Sequence, residues 1–72
     1  SFYPNPSSEF INFNEQIGIN SIYRIFDLQG KLLLSGYIQE KTPVSIESLS
    51  SGKYFVLIEQ NQQFKAELLL KN

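Results

Sequence analysis

The chain has no cysteine, no histidine, no tryptophan and no methionine among its 72 residues. Without histidine or cysteine, transition-metal sites and His- or Cys-based catalysis are excluded within it. Without cysteine there is no disulfide staple. An exported domain of this length must then hold together by packing alone, burying about 60% of its unfolded surface. Charge is also sparse, at 18% of residues and a net −1, with Lys and Arg scattered singly. No basic stripe is present to hold a phosphate backbone, so nucleic acid is not an expected partner. The longest apolar run is Tyr54–Ile58, followed by the leucine triplets Leu32–Leu34 and Leu68–Leu70, all far short of the roughly 20 residues of a membrane span.

Other absences narrow the chemistry further. The four glycines are too dispersed for a phosphate-binding loop. The nearest approach to a calcium loop, Asn12–Gln16, has one acid and no glycine at the required offset. Asn5-Pro6-Ser7 has the outline of a glycosylation site, but its central proline blocks the reaction. The seven carboxylates stand singly and read as solvated surface charges. No cofactor is implied. The first residues are neither basic nor followed by an apolar run, so they do not form a signal peptide. Export would need a signal on a longer parent chain, and a start at Ser1 fits a segment of such a parent.

What is present is β-sheet. Hydrophobic residues make up 42% of the chain, with six Phe and four Tyr. Segments such as "SIYRIFDL" and "FVLIEQ" are rich in β-branched and aromatic residues. Turn signals recur about every ten residues, which predicts a sandwich of short antiparallel strands. Seven strands are expected: Phe2–Tyr3, Glu9–Asn14, Ser21–Leu28, Lys31–Ile38, Val44–Glu47, Lys53–Glu59 and Gln63–Lys71. In the sixth, Tyr54, Val56 and Ile58 share a face. In the seventh, Phe64, Ala66, Leu68 and Leu70 alternate with Lys65, Glu67, Leu69 and Lys71. Several strands carry apolar residues on both faces. The expected outward set is Ile22, Phe26, Phe55, Leu57 and Leu69; either some of them belong to the core through bulges or are covered by loops, or they are exposed as a patch that meets a partner. Most aromatics are expected in the core.

Local turn chemistry is specific at three places. Asp27 and Gly30 suit a type I turn closed by a left-handed residue, with the carboxylate accepting a backbone N–H. Gly52 breaks the chain before the most hydrophobic strand, with Leu49 placed to dock on the core. The opening "SFYPNPSSEF" has two prolines that remove N–H donors, so it reads as a stiff lead-in kept out of any central strand.

Three landmarks stand in order: "FYPNPSSEF", "IYRIFDLQGKLL", and "SIESLSSGKYFVLIEQNQQFKAELLLKN". Together they resemble the type A C-terminal sorting domain of the type 9 (Por) secretion system of Bacteroidota. Tyr3, Pro4, Asn5 and Pro6 match its opening motif. Asp27, Gly30 and Lys31 match its central turn. Leu49, Gly52, Tyr54 and Phe55 match its third segment, and Leu68, Leu70 and Lys71 its terminal strand. Leu57 departs from the pattern, standing where a charged residue is common, and Asn72 follows the terminal lysine.

The resemblance implies an immunoglobulin-like sandwich, one domain over residues 1–72, at the C-terminus of a larger secreted protein. It also implies that the domain is an address label and not an enzyme. The implied partners are the outer-membrane translocon, its shuttle protein, a cell-surface sortase and the N-terminal cargo. The implied route runs through periplasm and outer membrane to the cell surface or the medium. By this resemblance Leu68, Leu70, Lys71, Gly52, Tyr54 and Phe55 are the candidate recognition residues, and the other matched positions hold shape. Turn chemistry and burial already account for many of them, and an edge strand at the end of the chain could accept a partner strand. The competing reading is a small carbohydrate-binding or adhesive sandwich.

Overall fold

The computed structural model describes residues 2–13, 21–39 and 42–72. Among these residues there are seven strands and no helix. They are β1 (Phe2–Tyr3), β2 (Phe10–Phe13), β3 (Ile22–Phe26), β4 (Leu32–Tyr37), β5 (Val44–Ser45), β6 (Gly52–Gln60) and β7 (Gln63–Lys71). The first and last have the expected bounds, and β6 is one residue longer at each end. The middle strands are shorter than expected; at the β3–β4 end this is because Asp27 and Lys31 serve the turn. The turn expected over Gly18–Asn20, most of the Asn12–Gln16 segment, and Glu40 and Lys41 lie outside the described residues.

All strand pairs are antiparallel, in sheets ordered β1-β2-β5 and β4-β3-β6-β7. This order corresponds to strands A-B-E and C′-C-F-G of an immunoglobulin-like sandwich. The core draws on both sheets and the segments between them. Ile11, Ile25, Ile46, Val56 and Leu69 are fully buried, joined by Phe2, Ile38, Leu49, Tyr54 and Ile58. Each such aliphatic side chain contributes about 1.5–3 kcal/mol over its exposed state. Between the sheets Phe13 stacks on Tyr23 with ring centroids 5.6 Å apart, and Phe2 meets Phe13 edge-on at 6.1 Å. Tyr23 also lies over its cross-strand partner Gly36, where a Cβ would stand 3.0 Å from the ring.

The β3–β4 turn is built as its sequence predicts. Asp27 Oδ1 accepts from the N–H groups of Gln29 and Lys31, both at 2.9 Å. The Gly30 N–H donates to the Asp27 carbonyl at 3.1 Å, and Gly30 has φ +89°. A side chain at that φ would be strained, which is why glycine stands there. Beyond the turn, Ile25 pairs with Leu34 but Phe26 pairs with Leu32, so Leu33 is bulged out of the ladder.

The β6–β7 hairpin corrects one expectation. Its turn is Asn61–Gln62, with φ values of 53° and 64°, and Gln60 pairs with Gln63. That tight turn sets the register of the whole hairpin. Tyr54 therefore lies opposite Leu69, and Phe55 opposite Leu68. Leu69, expected to point outward, is fully buried, while Leu68 is 42% exposed. The alternation within β7 is as expected; the core face is the other one.

Candidate functional site

Besides the β3–β4 turn, two local constructions carry the matched motifs. The first is the opening segment. Both Tyr3-Pro4 and Asn5-Pro6 are cis, and the chain from Pro4 to Ser8 lies along the C-terminal half of β7. Asn5 makes the central contact. Its side-chain Nδ2 donates to the Leu68 carbonyl at 2.8 Å, and its Oδ1 accepts from the Leu70 N–H at 2.9 Å. The amide thus imitates one rung of a parallel ladder. Ser7 supplies the next rung from its backbone, donating to Leu70 at 2.9 Å and accepting from Asn72 at 2.7 Å. The Lys71 ammonium donates to the Ser8 carbonyl, and the Ser7 hydroxyl to the Pro4 carbonyl. The start and end of the chain are stapled together, so the opening motif is more than a stiff lead-in.

The second is the segment Leu49–Phe55. Tyr54 is buried near the start of β6, and its hydroxyl donates to the Ser50 carbonyl at 2.6 Å. This is the tyrosine corner found where strands E and F of such sandwiches meet. Leu49 is buried beside it in the core, and Gly52 has φ +152° at the entrance to β6. Spacing alone did not reveal the corner. The signal that could have found it is a tyrosine two residues after the glycine that opens the sixth strand.

The third feature is a surface. Cross-strand partners share a face, so the register sorts the outer face of the four-stranded sheet into rows. Leu32, Phe26, Phe55 and Leu68 form one row. Ser35, Arg24, Leu57 and Ala66 form the next, then Tyr37, Ile22, Glu59 and Phe64. Of these, Leu32, Tyr37, Phe55, Phe64 and Leu68 are exposed. Arg24 Nη1 and Glu59 Oε1 pair at 2.9 Å within the face. Ile22, Phe26, Phe55 and Leu57 thus point outward as expected. The other aromatics depart from expectation, since Tyr3, Phe10, Tyr37 and Phe64 are exposed. For Tyr37 and Phe64 the reason is architectural: one small sheet covers one face of the larger sheet, and nothing among the described residues packs on the other.

The site offers little reactive chemistry. Among the described residues, no three His, Cys, Asp or Glu side chains gather to hold a metal ion. Among the same residues no helix is long and apolar enough to cross a membrane. Burial raises the Tyr23 phenol above its ordinary pKa, but that ring is stacked in the interior. A shallow depression of about 230 Å³ lies at the turn end of the β6–β7 hairpin, lined by Ile58, Gln60, Gln63, Phe64 and Lys65.

The whole chain, residues 1–72, matches the family model of the secretion system C-terminal sorting domain. The chain belongs to that family. It is a sorting signal of type 9 secretion, and the family implies interaction with that system and export to the cell surface or the extracellular space. No curated protein matches the chain. In this sorting domain the matched residues fall into two groups. Tyr54, Leu49, Gly52, Asp27, Gly30, Lys31, Pro4, Asn5 and Pro6 lie in the corner, the turn and the staple, and Tyr3 on β1 pairs with Asn12 on β2. Phe55, Leu68 and Leu70 point to the outer face, with Lys71 beside them at the stapled end.

Proposed function

We propose that the folded domain is a label read by shape, recognised by the outer-membrane translocon and its shuttle protein. A surface sortase then removes it from an N-terminal cargo, which is anchored or released. The recognition surface in this reading is the outer face of the four-stranded sheet with the end of β7: Phe55, Leu68, Leu70 and Lys71. The observation that carries it is the exposed apolar face of Leu32, Tyr37, Phe55, Phe64 and Leu68. Its row Leu32, Phe26, Phe55 and Leu68 is apolar throughout, and exposed apolar patches mark sites that meet a partner. Buried Tyr54 and the backbone-defining Gly52 support this surface from behind.

The test is a periplasm-directed fluorescent reporter fused to this domain, in a bacterium carrying the type 9 system. The reporter is expected at the cell surface or in the medium. Phe55→Ser and Leu68→Ser together are expected to cut export by about tenfold while circular dichroism stays unchanged, as for loss of two anchors of an apolar interface. Unchanged export by the double variant removes this face from the site.

A further inference from the structure

A sheet edge is an open row of backbone donors and acceptors, and proteins blunt it with short strands, bulges or covering segments. Three of the four edges here are blunted. β1 and β5 have two residues each. β4 carries the Leu33 bulge. β7 alone is long and unbroken, nine residues in continuous register with β6 and free of proline. Its C-terminal half is covered by Asn5 and Ser7.

Its N-terminal half is open. The Leu68 carbonyl and Leu70 N–H point away from β6, toward Asn5. Backbone groups alternate along a strand, so those of Phe64 and Ala66 point the same way. Among the described residues nothing meets them. The window ends at Asn5 on one side and at the Asn61–Gln62 turn on the other.

We propose that Phe64–Leu68 is a strand acceptor, and that the secretion machinery grips the domain by adding an extended segment there. This rests on the sorting reading and narrows it. The chemistry of the occupant follows from what flanks the window. Phe64, Ala66 and Leu68 on the outer face call for apolar side chains at alternate positions. Lys65 and Glu67 on the inner side, paired at 3.3 Å, call for polar or charged residues between them. The occupant is therefore an amphipathic strand, and its apolar side continues the exposed face. Asn5 and Ser7 show that this edge takes rungs from a segment running parallel to it.

Ala66→Pro removes the outward N–H and leaves the pairing with β6 intact, since proline is tolerated where an edge N–H faces solvent. Ala66→Val keeps the N–H. In the reporter assay Ala66→Pro is expected to lower export about tenfold relative to Ala66→Val, which changes the same side chain but keeps the N–H, with folding of both followed by circular dichroism. A photo-crosslinking phenylalanine at position 64, against one at Tyr37 on the β4 edge, is a second readout that leaves the backbone alone. Position 64 is expected to capture a translocon or shuttle component about tenfold more than position 37. Equal export of the Pro and Val variants, both folded, overturns the acceptor, as does equal capture from the two edges. A parent domain that is not exported overturns the sorting reading itself.

Discussion

The two faces of the four-stranded sheet are made from the same residue types and do opposite things. On one side Ile25, Tyr54, Val56 and Leu69 are buried against the smaller sheet. On the other, Leu32, Phe55, Phe64 and Leu68 stand in solvent. Leu68 and Leu69 are neighbours of identical chemistry, and one rotation along the strand separates core from surface. Hydrophobicity alone therefore does not state a residue's role in this domain. What covers it does.

The largest test of this contrast is a pair of truncations. Leu69→Ala is expected to destabilise by about 2–5 kcal/mol, as for a fully buried leucine. Leu68→Ala is expected to change stability by less than about 1 kcal/mol and to act on export instead. Urea denaturation measures both, and similar losses would break the contrast. Next is Tyr54→Phe, which leaves the buried packing but orphans the Ser50 carbonyl. It is expected to cost about 1–2 kcal/mol, read from the same titration, with export lowered only as far as folding is.

A change on neither face sharpens the comparison. Gln62 sits at φ 64°, where a side chain is uncommon and glycine is at ease. Gln62→Gly is expected to stabilise by about 1 kcal/mol, measured by thermal unfolding, without altering export. The smallest effect is on the inner side, at Tyr23. Burial raises its pKa, so the native state keeps the phenolic proton to higher pH than the unfolded chain does. Its contribution is complete below about pH 10 and is lost as pH rises through the raised value. Denaturation midpoints that fall above about pH 10, but hold in Tyr23→Phe, would show this.

The register of β7 is legible in the sequence. The Asn61–Gln62 turn and the Tyr54, Val56, Ile58 face were both visible in the sequence. A two-residue turn pairs Gln60 with Gln63, and counting outward places Leu69 opposite Tyr54. The count of apolar residues favoured the wrong face of β7, because Phe64, Leu68 and Leu70 outnumber Leu69. They are apolar for the outer face, not for the core. The staple was not legible in the same way. It depends on a side-chain amide meeting a strand more than 60 residues away, and no local pattern encodes that distance.

Alone, the sequence determined the strands, the turns and the family to which the domain belongs, because period, φ preference and ordered motifs are local properties. The tertiary structure decided which apolar face is covered, where Tyr54 sends its hydroxyl, and which edge is left open. Those depend on how many strands each sheet has and on where the chain's first residues come to lie. Burial and backbone pairing are relations between distant segments, and they exist only once the chain has folded.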